Sequence, residues 1–316
     1  MPLLPSLDEF IELAKKVPYQ QLPNGLLGNK SVDIWVRRDD LLDPIISGNK
    51  FYKLFFNLTA AMAENKVIVS AGGPYSNHIH ALAGAGYRYG VKTIGIIRGE
   101  HPTVLSPTLQ DAEQWGMTLK FVAREKYTPS DEKAMLALAN CTTTNAMYVP
   151  EGGDNSLGYK GTVLLGQIIG GTSPVDFDCL CVASGTGNTL SGLAAGLAQV
   201  KRDHQFCVKG FSVLKGHQSL VPSVGLRHHI QHAENAVNWS IISGFHLGGY
   251  GKRLPTKTAE FANDIESKTA IPLDPVYTAK LFWGVQCLVE QGYWKAGTKL
   301  LLLHTGGTQG RRGFVK

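Results

Sequence analysis

Short β-branched runs that stop on glycines and pass into helical patterns recur along the whole chain, and this rhythm restricts its fold most. VDIWVRRDD, KVIVSAGG, VKTIGIIRG, TLKFVA, DFDCLCVAS, CVKGFSVL and KLLLLHTGG read as strands. Between them, SGNKFYKLFFNL, SNHIHALAGAGYRYG, SPTLQDAEQWG, GYKGTVLLGQII and TLSGLAAGLAQV carry helical patterns. Such alternation predicts an α/β architecture with largely parallel sheets. In open sheets of that kind ligands collect at the carboxyl ends of the strands, where this chain keeps its unusual sequences. At 316 residues it has room for one large or two moderate domains.

The first of those sequences is SGNKFYKLFFNL. Phe51, Leu54, Phe55 and Leu58 fall at i, i+3, i+4 and i+7, one face of a helix. Ser47 or Asn49 is the expected cap, and Gly48 permits the sharp turn into it. Lys50 then lies in the first turn, where the helix dipole disfavours a cation, with Lys53 three residues on. Both effects push its amine towards the neutral, nucleophilic form.

The second is ASGTGNTLSGLAAG, residues 183–196: a buried strand running through Ser-Gly-Thr-Gly-Asn-Thr into a helix of small residues. Glycines and a helix N-terminus suit a phosphate. No Gly-Lys-Ser/Thr follows, and Leu190 stands where a dinucleotide fingerprint needs its third glycine, so the expected ligand is a phosphate without a dinucleotide. The third, SAGGPYSNHIHALAG, starts a helix at Ser76, Asn77 and His78 that suits a carboxylate, though capping alone would also explain Ser76. LDPVYTAKLFWG, LHTGGTQG and LGGYGKRLP are weaker signals.

Competing chemistries find little support. The net charge of +6 is scattered, with no basic run longer than two residues such as Arg37–Arg38, and no nucleic-acid signature is present. His228 and His232 stand at i, i+4 without a third metal ligand of recognisable spacing, and no hydrolase elbow occurs. The five cysteines have no disulfide or metal spacing; Cys179 and Cys181 should face the same side of a buried strand. The N-terminal sequence lacks signal-peptide character and no apolar run approaches 18 residues, so a cytoplasmic location is expected.

An activated lysine followed by a phosphate cup suggests pyridoxal 5'-phosphate. At this point the chain resembles the tryptophan-synthase-β type of pyridoxal-phosphate enzyme (fold type II), and within it the 1-aminocyclopropane-1-carboxylate deaminase and D-cysteine desulfhydrase family. The likeness rests on SGNKFYK, Ser76-Asn77-His78, Ser184 to Thr189, DPVY and GGYG, in that order. It implies a two-lobed fold with the cofactor between the lobes: residues 1–50 plus 150–316 as a large cofactor-binding domain, and 51–149 as a small domain closing on the substrate. It implies Lys50 as the Schiff-base lysine and as base at Cα. It also implies phosphate contacts from Ser184, Gly185, Thr186, Gly187, Asn188 and Thr189, and ring contacts from Asn77, Thr278 and Thr305. Substrate contacts fall to Tyr75, Ser76, Asn77 and His78, with Ser76, Tyr250 and Tyr277 near the chemistry. Thr278 stands where the deaminases carry Glu, and Thr305 where they carry Leu, so D-cysteine desulfhydration to pyruvate, ammonia and sulfide is the expected reaction. Cyclopropane deamination, action on another small amino acid, and non-catalytic binding of the cofactor or a phosphometabolite are the alternatives. Pro74-Tyr75 and His80 also depart from the family pattern and bear on the substrate. A homodimer with no nucleic-acid or membrane partner is implied as well.

Overall fold

The structure is a computed structural model and describes residues 3–28, 31–200, 206–215, 238–250 and 252–314. The seven predicted strands and three that were not predicted, Tyr19–Gln21, Ala146–Val149 and Asn238–Ile242, form two sheets. The larger takes β1 (Tyr19–Gln21), β2 (Asp33–Arg37), β7 (Cys179–Ser184), β8 (Cys207–Ser212), β9 (Asn238–Ile242) and β10 (Lys299–Leu303), in the order β1-β2-β10-β7-β8-β9. Only β1 is antiparallel; β10 lies between β2 and β7, with Leu301 opposite both Trp35 and Leu180. The smaller sheet is wholly parallel and runs β5 (Thr118–Val122), β4 (Thr93–Arg98), β3 (Val67–Gly72), β6 (Ala146–Val149). The four inner leucines of β10 are fully buried, as expected of a strand covered on both faces. Cys179 and Cys181 do share one side, packed in a single apolar cluster.

The helices are α1 (Leu7–Lys15), α2 (Asn49–Ala63), α3 (Asn77–Tyr89), α4 (Pro107–Gln114), α5 (Glu132–Leu138), α6 (Ser156–Thr172), α7 (Asn188–Val200), α8 (Thr256–Thr269) and α9 (Thr278–Glu290). The predicted apolar face of α2 is buried at Phe51, Leu54, Phe55 and Leu58. Phe10 of α1 stacks on Phe55, with ring centroids 4.4 Å apart and planes 13° from parallel. Each such side chain contributes about 1.5–3 kcal/mol by leaving water. Helices α6 and α7 approach so closely that a Cβ on Gly192 would fall 1.9 Å from Thr162 Oγ1.

The capping expectation for α2 is not met. Gly48 is the N-cap, at φ +69°, and no side chain caps the helix. The Ser47 hydroxyl instead donates to the Asp40 carbonyl at 3.3 Å, and Asn49 Nδ2 donates to Thr189 Oγ1 at 2.8 Å. The reason lies in tertiary packing: a Cβ at residue 48 would sit 1.9 Å from the Thr305 carbonyl oxygen, so bare backbone must pass there.

A buried charge network sets the approach to α2. Arg37 and Asp39 are both fully buried and pair at 3.0 Å. Arg37 also donates to the Ala14 carbonyl (2.7 Å) and the Tyr19 hydroxyl (2.8 Å), while Tyr52 of α2 donates to Asp39 at 2.8 Å. The Asp39 carbonyl accepts the Gly48 amide at 3.0 Å. The network therefore holds the residues that flank Lys50. Asp39→Asn leaves the guanidinium buried without its counter-charge and should lower the free energy of urea unfolding by about 3–5 kcal/mol; a loss below about 1 kcal/mol would show that the pair is not structural.

Candidate active site

Strand ends from both sheets converge on one cavity of about 430 Å³. Lys50, Ser76, Asn77, His78, Ser184, Gly185, Thr186, Gly187, Thr189, Tyr250, Tyr277 and Thr305 all line it. Three residues named from the sequence do not. Asn188 is buried behind the loop, donating to Asp154 at 3.0 Å. Tyr75 lies with its ring beside Phe314, and its amide donates to the Tyr250 hydroxyl at 3.0 Å. Thr278 is fully buried: its hydroxyl donates to Asp274 Oδ1 at 2.8 Å and accepts the Asp274 amide at 2.7 Å. Asp274 spends its carboxylate on the start of α9, accepting the amides of Val276, Tyr277 and Thr278. His80 is also off the cavity, buried against Trp115 and bonded to Asp111 at 2.9 Å.

The electrostatics favour a neutral amine. Burial is the main cause that lowers Lys50 from the ordinary lysine value of 10.5 to about 7, and the nearby Lys53 charge adds to it; Asp274 opposes them. The predicted direction is therefore right, with desolvation as its leading cause. Lys50 Nζ donates to Asn49 Oδ1 at 2.8 Å, so the chain Lys50–Asn49–Thr189 joins the amine to the first turn of α7. Lys53, buried and lowered to about 8 chiefly by desolvation, donates to the Gly152 carbonyl at 2.9 Å. His78 is held neutral, its pKa far below 6.5 through burial and then the two lysines. Its Nε2 bonds Ser70 Oγ at 3.1 Å while its buried Nδ1 has no partner. Burial likewise keeps the Tyr250 and Tyr277 phenols protonated, and the Tyr277 ring centroid lies 6.0 Å from Lys50 Nζ.

The cavity suits a phosphorylated carbonyl cofactor. Ser184, at the end of β7, buries a hydroxyl with no hydrogen-bond partner against the turn of Gly185 to Gly187, and Gly187 (φ +92°) leads into the start of α7. An unpaired buried hydroxyl is costly unless a ligand completes it. A loop of amides at a helix N-terminus welcomes an anion. Opposite stands the near-neutral Lys50 amine, the form that condenses with a carbonyl.

Several lining residues were not anticipated as site residues: Arg98 at the end of β4, Glu151 after β6, and Lys215 beyond β8. Their signal was positional, since each follows a strand's carboxyl end. Glu151 is the only carboxylate on the wall of the cavity among the described residues. His228 and His232 lie outside the described residues. Among the described residues no cluster could hold a metal ion, and no helix is long and apolar enough to cross a membrane.

Comparison with known proteins points to the same fold and cofactor. Residues 12–306 match the family described as "Pyridoxal-phosphate dependent enzyme". A crystal structure of an ACC deaminase homologue superposes with a TM-score of 0.79 and 27% identity, over 98% of this chain and 92% of that one. A bifunctional D-cysteine desulfhydrase/1-aminocyclopropane-1-carboxylate deaminase, mitochondrial, of Arabidopsis thaliana is 27% identical over 92% of this chain and 74% of its own length. A D-cysteine desulfhydrase of Yersinia enterocolitica is 28% identical, covering 87% of this chain and 86% of its own length.

Native Lys50 and Lys53 bind fewer protons than their unfolded counterparts between their depressed values and 10.5, so the cost of burying them is largest below about pH 7 and falls as pH rises. In cofactor-free protein, competitive acetylation of Lys50 should titrate with a midpoint near 7, and Lys53→Met should move that midpoint upward. A midpoint near 10.5 in either protein would mean that the amine is solvated.

Proposed function

This chain belongs to the pyridoxal-phosphate dependent enzyme family, and on that premise we propose that it eliminates a β-substituent from a small amino acid, D-cysteine foremost, to give pyruvate, ammonia and sulfide. One observation carries the reading: the near-neutral Lys50 amine faces the same cavity as the Ser184 hydroxyl and its glycine loop. The bound cofactor supplies an electron sink conjugated to the substrate Cα. Ser184, Gly185, Thr186, Gly187 and Thr189 hold its phosphate, with Asn188 bracing the loop from behind.

Lys50 takes the proton from Cα, a role that needs an amine free of its own proton near neutral pH. Ser76, Asn77 and the neutral His78 bind the substrate carboxylate at the start of α3. Asn77 is steadied for this by Gln309, whose Nε2 donates to Asn77 Oδ1 at 2.8 Å. Burial keeps the Tyr250 proton on its oxygen, and because that oxygen accepts from the Tyr75 amide its O–H is left to donate. Together with Tyr277 it protonates the departing group.

Thr278 argues for elimination over cyclopropane opening. With the Thr278 proton committed to Asp274, and Asp274 committed to α9, neither offers a carboxylate to the cofactor's ring nitrogen. A ring without such a partner withdraws electrons less, which suits a good leaving group such as thiol. The bifunctional Arabidopsis relative keeps 1-aminocyclopropane-1-carboxylate deamination as the second reading. On the same grounds we read residues 1–50 plus 150–316 as the cofactor-holding lobe and 51–149 as the lobe that closes on substrate. A cytoplasmic homodimer without a nucleic-acid partner belongs to this reading.

The test is keto-acid release by the cofactor-loaded protein. Pyruvate and sulfide from D-cysteine are expected, with no turnover by Lys50→Ala. 2-Oxobutyrate from the cyclopropane acid alone would favour the second reading, and undiminished activity in Lys50→Ala would remove Lys50 from the chemistry.

A further inference from the structure

Arg98 faces the Lys50 cavity with no ion pair among the described residues; its guanidinium lies over the Tyr127 ring, 5.6 Å from the centroid. Arg98 and Glu151 line a second cavity too, of about 510 Å³, together with Arg124, Tyr127 and Pro129. The two residues are thus the wall shared by the reaction cavity and an outer chamber. Tyr127 Oη is turned towards Glu151 but is buried without completing a hydrogen bond of normal geometry.

That wall offers a planar cation, a carboxylate and a phenol to whatever extends beyond the substrate's Cβ. A cysteine thiol or a cyclopropane ring has nothing to give them. A zwitterionic head satisfies both charges at once, its carboxylate on Arg98 in a charge-assisted, two-pronged bond and its ammonium on Glu151. Arg124, exposed and also lining the outer chamber, adds positive charge there.

We propose that the same site also takes an α-amino acid whose Cβ is joined through sulfur to a second amino-acid head, with the distal carboxylate held by Arg98 and the distal ammonium by Glu151. The chemistry rests on the elimination proposed above and names its substrate class. The Cα proton passes to Lys50 as the Cβ–S bond breaks. The sulfur leaves with the bonding pair and takes a proton, and one water hydrolyses the enamine. The balance is R–S–CH2–CH(NH3⁺)–COO⁻ plus H2O giving R–SH, pyruvate and NH4⁺, with no redox partner.

The experiment separates recognition from turnover. 2,6-Diaminopimelate is the all-carbon counterpart of lanthionine and has no leaving group at Cβ, so calorimetry with the loaded holoenzyme reads binding alone, with alanine as the single-headed reference. Diaminopimelate should bind at least tenfold more tightly than alanine in one stereoisomer. Arg98→Gln should erase most of that preference, a loss of roughly ten- to a hundredfold for one charge-assisted pair, Glu151→Gln should weaken it, and Arg98→Lys should restore part. Equal binding of the two ligands, or a preference that survives Arg98→Gln, overturns the proposal. Keto-acid release from lanthionine and from D- and L-cysteine is then compared. A lanthionine-to-cysteine ratio of kcat/KM that falls at least tenfold in Arg98→Gln supports the substrate class. Pyruvate from cysteine with none from lanthionine overturns it and leaves the elimination standing. No keto acid from any of them, with Arg98-dependent diaminopimelate binding intact, overturns the elimination and supports the distal-head site.

Discussion

The withdrawal of one lysine amine from water, with no carboxylate bonded to it, is the constraint on which the rest of this site depends. Desolvation alone would expel such a group or leave it to an adventitious counter-ion. Here the surrounding backbone is fixed so that it cannot escape. Gly48 passes under the Thr305 carbonyl where no side chain fits, and the Arg37–Asp39 pair holds the strand and helix on either side. Asn49 ties the amine to Thr189, in the first turn of α7 that follows the glycine loop. The reactive group and the anion cup are therefore one mechanical unit.

The small sheet is joined to that unit by an apolar cluster that runs from Ile68, Ile79 and Leu82 through Leu54 and Leu58 to Leu180 and Leu301, and at the cavity by polar contacts. Tyr250 reaches from the large sheet's loops to accept the Tyr75 amide, and the C-terminal turn sets Gln309 on Asn77. Lys280 in α9, almost fully buried, donates to the carbonyls of Val213 and Gly249, at 3.0 and 3.1 Å, and so pins the loop that carries Tyr250 to the helix that follows Tyr277. These contacts decide how Ser76, Asn77 and His78 face Lys50, and they are weaker than the hydrogen-bond ladders within each sheet.

Much of this was legible from local pattern. Strands bounded by glycines and helices with an apolar face obey rules of near-neighbour sterics and burial, and SGNK, the SNH helix start and the SGTGNT turn are contiguous, so each announces itself without knowledge of its surroundings. Ser47 and Asn49 are good cap formers by type, but their side chains find better partners in other segments, at Asp40 and Thr189. The place of Thr278 after DPVY points it at the cofactor, but Asp274, four residues earlier, claims its hydroxyl.

The sequence by itself determined the alternation of strands and helices, the parallel character of the sheets, and the lysine and phosphate loop, because each is encoded within a dozen residues by periodicity, glycine and capping chemistry. Only the tertiary structure decided that burial above all depresses Lys50, that Thr278 turns away from the cavity while Thr305 faces it, and that Arg98 and Glu151 share a wall between two chambers. Desolvation and charge depend on what lies within a few ångströms in space, and residues 50, 98, 151, 274 and 305 meet only once both sheets have formed.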